Sequence, residues 1–456
     1  MKARRVLTVA GSDSGGGAGI QADLKTFAAH GVHGMSAITC VTAQNTEGVT
    51  AIHVLPSEIV REQIRVIAED IGVDAVKTGM LYSSEIIEAV AYELRRLAVP
   101  VVVDPVAVAK SGARLLSESA FRTLVERLIP ITTVLTPNSY EAGLLTGIEI
   151  VDIESQEKAA KMLVGMGARS AVVKGGHIGG ENVVDVLYYA GRFTHLRSDR
   201  VPTSDTHGTG CVFASAIAAR LAQGYEVDEA VSAAKDFVTE SIKRALRLGR
   251  GHGPVNPTGG LFDNGERFRT LEKMRKALDM LTSSQHIAEL IPESRSNLVM
   301  SIDGGESLDD VVGIPGRISR VGDKVKLVSE PWFNASNHVA RAVLAIMRHN
   351  PRIRSAINIR YGPDVLDAAQ ALGLTISMYD RSQEPEQVKK KEGMTIQWGV
   401  EQAVKSHGGV PDIIYHKGDW GKEAMILVIG YDAVDVVRKT LKIAEKLHKE
   451  ASETLT

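Results

Sequence analysis

Short runs of mostly β-branched residues recur along the first half of the chain, and each ends at glycine or a polar residue. The runs occupy residues 6–10, 75–76, 101–103, 134–135 and 171–173. Nearly continuous apolar runs that alternate with helix-like stretches are typical of parallel strands buried on both faces. Since ligands bind beyond the carboxyl ends of such strands, the polar residues that follow them are the first candidates for a functional site.

The composition of the 456 residues is typical of a globular protein, with 44% hydrophobic and 24% charged residues. Lys+Arg at 53 against Asp+Glu at 55 leave a net charge of −2, so nothing global indicates a nucleic-acid or membrane partner. The two cysteines lack the spacing of a disulfide framework, and no segment approaches a membrane span or a signal peptide. We therefore expect a soluble cytoplasmic protein without either partner.

Glycine, proline and asparagine dominate residues 251–265, which predicts a domain boundary there. The stretch after it is helix-like, and the remaining chain again alternates strands and helices. We predict a first domain over residues 1–260, a linker and connecting helix over 261–284, and a smaller α/β domain over 285–456.

The most distinctive motif is the glycine-rich turn HGTGC at residues 207–211, which runs directly into an apolar helical stretch. Such a turn directs unpaired N–H groups and the positive end of the helix dipole at one point, which predicts an anion site. Cys211 lies in the first helical turn, where the same field is expected to lower the thiol pKa. The alternative is a tight turn followed by a small buried cysteine.

Seven strings follow one another along the first domain: AGSDSGGGAGIQADLKTF, AQNT, KTGM, DPVAVAKSG, TPNSYEA, VKGGH and HGTGC. In this order and spacing they resemble the hydroxymethylpyrimidine kinase/phosphomethylpyrimidine kinase family of the ribokinase superfamily. The resemblance covers roughly residues 1–260. It implies a three-layer α/β/α domain with a mostly parallel sheet, ATP and Mg²⁺ as cofactors, and a homodimer. Pyridoxal kinase is the nearest alternative within this fold.

The resemblance also implies roles for individual residues. The turn formed by Gly208, Thr209, Gly210 and Cys211 would neutralise charge on the transferred phosphoryl group, with Cys211 standing where many sugar kinases have a general-base aspartate. Asp104 and Glu141 offer oxygen ligands suited to Mg²⁺. Residues expected to contact the nucleotide are Lys110, Asn138, Lys174, Thr209 and Lys235. Residues expected to contact the pyrimidine are Gly11, Ala18, Asp23, Gln44, Met80 and Val106.

Several of these roles have local alternatives. Asp104 could cap a helix, Asn138 could be a turn residue, and Lys235 could be a solvated surface lysine. A Cys211 thiolate could accept the proton of a hydroxymethyl group, or the cysteine could serve positioning alone. Gln44 donates and accepts hydrogen bonds side by side, which suits the edge of an aminopyrimidine.

The second half contains GIPGRI, KLVSEPWFNASNHVARAVLAIM, NIRYG, YDR and HKGDWGKE. From about residue 284 it resembles the archaeal-type thiamine-phosphate synthase domain. The implied reaction joins hydroxymethylpyrimidine diphosphate to thiazole phosphate and releases pyrophosphate. The alternative is a regulatory module that only binds thiamine phosphates.

Arg317 and His338 are the leading candidates in this second site. The Arg317 guanidinium offers a fork to phosphate oxygens. His338 is expected at a helix start capped by Ser336 or Asn337, where it could act as an acid toward pyrophosphate. Expected substrate-binding residues are Asn337, Arg341, Arg360 and Asp380. Further candidates are Arg381, His416, Lys417 and Asp419.

Overall fold

The computed structural model describes residues 3–106, 116–176, 178–389, 393–418 and 423–454. Contacts divide the chain into two compact units, Met1–Leu261 and Phe262–Thr456. The division falls inside the glycine- and proline-rich stretch 251–265. Within the described ranges, no helix has the length and apolar character needed to span a bilayer.

The described part of the first unit forms a nine-stranded sheet covered by helices. Its strands are β1 (Arg5–Asp13), β2 (His33–Gln44), β3 (Val49–Val54), β4 (Ala75–Thr78), β5 (Val101–Val103), β6 (Val134–Leu135), β7 (Ser170–Val173), β8 (Asn182–Tyr189) and β9 (Arg192–Asp199). Its helices are α1 (Gly19–Ala29), α2 (Ser57–Asp70), α3 (Ser84–Leu97), α4 (Glu118–Thr123), α5 (Ser139–Thr146), α6 (Ile153–Gly165), α7 (Thr209–Ala222) and α8 (Val227–Lys243). A π-helical turn (Leu124–Leu128) and a 3-10 turn (Ile129–Ile131) extend α4.

The strand order is β3-β2-β1-β4-β5-β6-β7-β8-β9. Six neighbouring strands in this order, β2, β1, β4, β5, β6 and β7, are mutually parallel. β3, β8 and β9 add antiparallel edges. The predicted mostly parallel sheet is therefore confirmed. β1 lies inside the sheet, between β2 and β4, and the carboxyl ends of the parallel strands meet along one edge.

Alternate residues of these strands belong to two separate apolar clusters. Leu7, Val9, Val76, Val101 and Val103 pack with residues of α2, α3 and α6. Val6, Ala75, Val102, Val134 and Val172 pack with residues of α1, α7 and α8. Because successive side chains of a strand point to opposite faces, helices cover both faces of the sheet. The predicted three-layer α/β/α arrangement is confirmed.

The described part of the second unit is also an α/β fold. Its strands are β10 (Leu298–Ser301), β11 (Val311–Gly313), β12 (Ile318–Val321), β13 (Lys324–Leu327), β14 (Trp332–Phe333), β15 (Ser355–Arg360), β16 (Ile376–Met378), β17 (Ile413–His416) and β18 (Met425–Gly430). Helix α9 (Gly259–Thr282) crosses the boundary and is followed by α10 (His338–His349), α11 (Pro363–Ala371), α12 (Glu386–Lys389), α13 (Met394–His407) and α14 (Ala433–Thr454).

Seven of these strands form a sheet in the order β14-β11-β10-β15-β18-β17-β16, and β12 pairs with β13 as a hairpin. Among the described strands of this sheet, β16 and β17 are the one parallel pair. Residues of α9, α11 and α14 pack on one face, and residues of α10 and α13 pack on the other. The second sheet is thus mostly antiparallel, in contrast to the first.

Candidate active sites

The glycine-rich turn forms the N-terminus of α7, as its sequence predicts. Gly208 occupies the N-cap position with a φ of 83°, a left-handed conformation that favours glycine, and no side chain caps the helix. A Cβ atom at Gly208 would collide with the carbonyl oxygen of Gly17. The Thr209 hydroxyl donates to the Thr206 carbonyl at 2.8 Å and closes the turn. The Thr209 N–H also turns back to the Thr206 carbonyl, so at the start of this 14-residue helix the N–H groups of Gly210 and Cys211 are the ones directed at a ligand.

A buried ion pair faces this helix start. Lys174 Nζ lies 3.0 Å from Asp104 Oδ1, and a Cβ atom at Gly210 would lie 3.3 Å from both Asp104 Oδ2 and Lys174 Nζ. Asp104 is 4% exposed. Burial works against the charged form of Lys174, but the carboxylates of Asp104 and Glu141 outweigh it and raise the Lys174 pKa. A fixed cation thus lies beside the anion-binding turn.

Asn138 and Glu141 form a capping box at the start of α5. The Asn138 amide oxygen accepts the Glu141 N–H at 2.8 Å, and the Glu141 carboxylate accepts the Asn138 N–H at 2.9 Å. Asn138 therefore caps α5, and this role accounts for its side chain without a contact to the nucleotide. Asp104 pairs with Lys174 instead of capping a described helix.

The carboxylates at this site suit magnesium that arrives with a nucleotide. Among the described residues, no group of three or more His, Cys, Asp or Glu side chains could hold a metal by itself. Mg²⁺ in phosphoryl-transfer sites typically takes one or two carboxylates and completes its shell with phosphates and water. Asp104 and Glu141, each 4% exposed and both close enough to Lys174 to raise its pKa, match that donor set.

The expectation that the helix field lowers the Cys211 pKa is wrong. Burial raises the pKa of the thiol to about 11, and the nearby carboxylates of Asp23 and Asp104 act in the same direction. The Lys77 ammonium and the Gly19 N–H oppose this shift without reversing it. Removal from water thus exceeds the opposing effects of Lys77 and the Gly19 N–H, and Cys211 is a thiol at neutral pH.

The prediction that Asp23 contacts the pyrimidine is contradicted by its surroundings. Asp23 is fully buried, and its two oxygens lie 2.8 and 2.9 Å from Lys77 Nζ. The hydroxyls of Thr8 and Ser215 each donate to it at 2.6 Å. Burial disfavours the charged form of Lys77, but Asp23 outweighs burial and raises its pKa. The pair is close to Cys211, because Ser215, which donates to Asp23, follows Cys211 by one turn of α7.

Lys77 is a residue that the sequence interpretation missed. It lies within the fully buried strand β4, and its side chain is completely inaccessible. A lysine inside a short buried run is a detectable signal, because lysines are almost never buried without a partner. The identity of that partner is set by α1 and could not be inferred from spacing.

Other predicted pyrimidine contacts lie around the turn. A Cβ atom at Gly11 would lie 2.9 Å from Met80 Cε and 2.8 Å from Cys40 Sγ, so Gly11 and Met80 are adjacent. The Ala18 Cα is 3.6 Å from where a Gly208 Cβ would be. The end of the Gln44 amide lies 3.3 Å from the His207 ring. Val106, with a φ of 25°, follows Asp104 by two residues, and Lys110 lies outside the described residues.

Lys235 does not lie on the surface, and its ammonium is already paired. It is 5% exposed, and its Nζ lies 2.9 Å from Asp185 Oδ2. The other Asp185 oxygen accepts the Gly175 N–H at 2.8 Å. The solvated-lysine alternative is wrong, and the direct nucleotide contact predicted for Lys235 is replaced by support of the loop at Gly175 through Asp185.

In the second unit, strand register brings the candidate residues to one edge of the sheet, here called the 360 edge. Arg360 at the end of β15 and His416 at the end of β17 both pair with Met425 at the start of β18. Met378, at the end of β16, pairs with Tyr415. Asp380 and Arg381 follow at this edge.

The 360 edge also includes the start of β10 and the end of β11. The Ile314 N–H donates to Asn297 Oδ1 at 2.9 Å, and the Asn297 N–H donates to Asn358 Oδ1 at 2.7 Å. A Cβ atom at Gly313 would touch Ser336, just before α10. Arg317, Asn337, His338 and Arg341 therefore lie along the same edge as Arg360 and Asp380.

Arg317 follows Gly316 and has a φ of 71°, a left-handed conformation unusual for arginine. Its side chain is exposed, and its guanidinium donates to the Ser294 carbonyl at 2.5 Å. The Ser294 N–H in turn donates to Glu423 at 3.2 Å. Non-glycine residues held in this region concentrate at functional sites.

The predicted capping of α10 is wrong. Asn337 is at the N-cap position, but neither it nor Ser336 forms a side-chain cap bond. The Asn337 amide oxygen instead accepts from Arg341 Nε at 2.5 Å. His338 is the exposed first residue of the helix. The N–H groups of this helix start are therefore not covered by a side-chain cap.

Two predicted substrate-binding residues have local partners. The Arg360 guanidinium binds both oxygens of Asp364, at 2.6 and 3.1 Å, and the Glu289 carbonyl at 2.8 Å. Asp380 accepts the Ser382 N–H at 2.9 Å, a bond that lowers its pKa. Contrary to the predicted substrate contacts, the charged groups of both Arg360 and Asp380 already have partners within the protein.

A buried polar cluster lies behind Asp380. Arg381 and Glu384 form a 3.8 Å ion pair, and Tyr379 contacts the His416 ring with centroids 5.2 Å apart. Burial, with the nearby Arg381 charge, lowers the His416 pKa to about 4. Sequence reasoning missed Tyr379 and Glu384, and Asp419 lies outside the described residues.

The first fold and site define a small-molecule phosphotransferase with a ribokinase-like α/β/α architecture. The profile of the phosphomethylpyrimidine kinase family matches residues 13–256, more than half of the sequence, and the chain belongs to this family. The profile of thiamine-phosphate synthase ThiN matches residues 273–442. The chain therefore combines a hydroxymethylpyrimidine/phosphomethylpyrimidine kinase domain with a thiamine-phosphate synthase domain, and the two resemblances are confirmed.

Relatives agree with this assignment. The thiamine biosynthesis bifunctional protein ThiED of Geobacter sulfurreducens is 52% identical over 255 residues, which is 55% of this chain and 51% of that protein. The chain thus spans about half the length of that relative. The hydroxymethylpyrimidine/phosphomethylpyrimidine kinase of Mycobacterium tuberculosis is 51% identical over 256 residues, which is 56% of this chain and 93% of that protein.

Solved structures with the same fold include two pyridoxal kinases. The ADP complex of the Bacillus subtilis enzyme is 39% identical with a TM-score of 0.54, covering 57% of this chain and 100% of that chain. The Staphylococcus aureus enzyme with AMP-PCP and pyridoxal is 36% identical with a TM-score of 0.53, covering 56% and 94%. These similarities confirm the ribokinase-like fold of the first unit.

Proposed function

We propose that the first unit phosphorylates 4-amino-5-hydroxymethyl-2-methylpyrimidine and then its monophosphate with ATP, and that the second unit couples the diphosphate to thiazole phosphate. The observation that carries the kinase assignment is the Lys174–Asp104 pair held at 3.0 Å against the start of α7. The identities of the two substrates, the hydroxymethylpyrimidine and the thiazole phosphate, are inferred from the family and from the names of relatives.

In each kinase step, the oxygen of the acceptor attacks the γ-phosphorus of ATP, the bond to the β-phosphate oxygen breaks and ADP leaves. Positioning and charge stabilisation account for most catalysis of this kind. The N–H groups of Gly210 and Cys211 stabilise the transferred phosphoryl group, and the Lys174 ammonium stabilises the leaving phosphates. Asp104 and Glu141 would hold Mg²⁺, which neutralises phosphate charge when bound.

Cys211 acts by position rather than as a preformed thiolate. Its thiol pKa of about 11 leaves it protonated at neutral pH, so it is a poor base before substrate binds. The acceptor proton passes to an oxygen of the transferred phosphoryl group as the new bond forms, because a loose transition state demands little early proton removal. The neighbouring Lys77–Asp23 pair fixes the electrostatic environment of this thiol.

In the coupling step, the thiazole nitrogen forms a bond to the pyrimidine methylene carbon as the carbon–oxygen bond to diphosphate breaks. The electrons leave with pyrophosphate, and the protein stabilises that developing charge. Arg317 and the uncapped start of α10, with His338 and Arg341, supply the donors. Their shared location on the 360 edge supports this role.

The full reaction is tested with purified full-length chain, Mg-ATP, the hydroxymethylpyrimidine and thiazole phosphate, with thiamine phosphate measured by chromatography. We expect the coupled product to form. Accumulation of the diphosphate without coupled product contradicts the synthase assignment. Phosphorylation of pyridoxal but not of the pyrimidine contradicts the kinase assignment and identifies a vitamin B6 kinase.

Paired variants assign the two steps to the two units. Cys211→Ala is expected to slow both phosphorylations and to leave coupling of supplied diphosphate intact, and Arg317→Ala is expected to do the reverse. Loss of both activities in either variant contradicts independent sites. We also propose that the protein is cytoplasmic, in keeping with its two free cysteines. We propose a homodimer from the family resemblance, and light scattering coupled to size exclusion tests the oligomeric state directly.

A further inference from the structure

Asp13, a residue outside the proposed chemistry, holds the glycine-rich loop between β1 and α1. It is 3% exposed, and its Oδ1 accepts the Gly15 N–H at 2.8 Å. Its Oδ2 accepts the N–H groups of Gly17 at 3.1 Å and Ala18 at 2.8 Å. The loop that carries the predicted pyrimidine contact Ala18 is thus organised around one carboxylate.

His207 links this carboxylate to the anion-binding turn. Its Nε2 lies 3.0 Å from Asp13 Oδ2, and the next residue is Gly208 at the N-cap of α7. The His207 backbone is fixed on its other side, because its N–H donates to Gly253 and its carbonyl accepts from Val255. Hydrogen bonds therefore fix both the ring of His207 and its backbone.

The proton on this ring is set by Asp13. Burial works against the Asp13 carboxylate, but the hydrogen bonds from His207, Gly15 and Ala18 outweigh it and lower the Asp13 pKa. An ionised carboxylate only accepts hydrogen bonds, so His207 Nε2 must carry a proton and donate it to Asp13.

That proton in turn fixes the side-chain amide of Gln44. One end of the amide lies 3.3 Å from His207 Nε2, and the other lies 3.2 Å from Thr42 Oγ1. The Thr42 hydroxyl donates to the Ser12 carbonyl at 2.9 Å, which leaves its oxygen to accept. With its nitrogen toward His207 and its oxygen toward Thr42, as the structure places them, the amide sets two donors against each other at His207. With the two ends exchanged, the Gln44 oxygen shares the His207 N–H with Asp13 and the Gln44 nitrogen donates to Thr42, so every group is satisfied.

We propose that His207 is a positioning residue that orients the Gln44 amide and thereby sets selectivity for a heterocycle with an amino group next to a ring nitrogen. In this orientation the amide presents its oxygen acceptor and its second N–H donor side by side. The oxygen can accept from the amino group of the ligand while the N–H donates to the adjacent ring nitrogen. This inference rests on the proposed pyrimidine kinase activity of the same site. The hydroxyl and ring nitrogen of pyridoxal are not adjacent, so they cannot use the pair in this way.

The test compares dissociation constants of two ligands by calorimetry on the full chain: the aminopyrimidine substrate and the same molecule without its amino group. Wild-type protein is expected to prefer the amino compound strongly. In His207→Leu the preference should fall about tenfold or more, through weaker binding of the amino compound. In His207→Gln, whose amide nitrogen can still donate to Asp13, most of the preference should return.

The matched control is His252→Leu, which removes a histidine whose Nδ1 bonds the Ser204 carbonyl. It should leave both constants unchanged. An unaltered preference in His207→Leu, or equal weakening of both ligands in all His207 variants, overturns the proposal. Circular dichroism melting of each variant separates loss of fold from loss of orientation. Absence of pyrimidine phosphorylation by wild-type protein contradicts the proposed function instead, and is measured separately.

Discussion

The two units both gather polar residues at one edge of a covered sheet, but they treat the charges there differently. In the first unit, Lys77 and Asp23 are completely buried, and Lys174 pairs with Asp104 under partial cover. At the 360 edge, Arg317 and His338 are exposed, and Arg317 bonds only a backbone carbonyl among its described contacts. The first site is organised before substrate arrives, whereas the two leading candidates of the second site, Arg317 and His338, are exposed to water.

The difference follows from the chemistry proposed for each unit. Charges held away from water act more strongly on a developing phosphoryl charge and need no rearrangement during the reaction. Exposed guanidinium and imidazole groups are screened until a ligand displaces water. We infer that the first unit depends on preformed electrostatics and that the second depends on substrate binding to complete its site.

The largest expected effect comes from breaking the buried pair of the first unit. Lys77→Met leaves the Asp23 carboxylate buried without its cation, and removal of one partner of such a pair costs about 3–5 kcal/mol. Circular dichroism during guanidinium unfolding measures the loss. Lys77→Met/Asp23→Leu should recover most of it, and the exposed Lys243→Met should cost at most about 0.5 kcal/mol.

Fluorescence sharpens that measurement, because all three tryptophans, at positions 332, 398 and 420, belong to the second unit. The tryptophan-reported transition is expected to stay in place when Lys77 is changed. A loss below about 1 kcal/mol in Lys77→Met would show that the pair is not buried as described.

Cys211 tests whether the first site is as dry as its contacts imply. With a thiol pKa of about 11, its thiolate fraction near pH 7.5 should be roughly 100-fold below that of an exposed cysteine. Iodoacetamide labelling should therefore be slow and should accelerate steadily up to pH 10. Mass spectrometry locates the label, with Cys211→Ala as control, and both cysteines belong to the first unit. A rate that levels off below pH 8 would contradict a raised pKa.

His416 belongs to the buried cluster at the 360 edge, and its pKa is lowered to about 4. Between pH 6.5 and 4 the unfolded chain binds a proton that the folded chain does not, so stability falls as the pH falls. The expected loss is about 1 kcal/mol per pH unit in that window, with none above it. Guanidinium unfolding followed by tryptophan fluorescence at pH 7, 5.5 and 4.5 measures it. His416→Gln should flatten the dependence, and an equal slope in both proteins would assign it to other groups.

The smallest effect is expected for Arg360→Gln. The Arg360–Asp364 pair is partly exposed and joins the end of β15 to the first turn of α11, so its loss should cost at most about 0.5 kcal/mol. If these contacts are its whole role, the rate of coupling should change less than twofold, whereas Arg317→Ala should abolish coupling. A tenfold fall in coupling for Arg360→Gln would show that Arg360 leaves Asp364 to bind substrate.

Sequence predicted the parallel sheet, its two helical layers and the anion-binding turn, because these follow from strand composition and glycine geometry. The sequence identified Arg317, His338 and Asp380 as candidates, but their location at one edge depends on antiparallel strand pairings that the sequence analysis did not predict. The Arg360–Asp364 pair joins a strand end to the next helix, so helical i,i+4 spacing could not have predicted it.

The remaining features depend on neighbours that are distant in sequence. Asp23 looked like a ligand contact because its partners come from three other elements, β1, β4 and α7. The Cys211 pKa reversed because burial depends on the whole surrounding fold, whereas the helix field can be inferred locally. Spacing alone reports neither of these effects.

The strand order of the first sheet constrains how the chain can be made. β1 precedes the other strands of this sheet along the chain, but it lies inside the sheet, between β2 and β4. Its partner β2 follows closely, whereas Val6 must wait for Ala75 before its other side is covered. Until then the nascent chain carries an apolar strand with one open edge, the kind of segment that pairs with other chains. A pause in synthesis between β3 and β4 therefore prolongs the time during which this open edge is exposed to other chains.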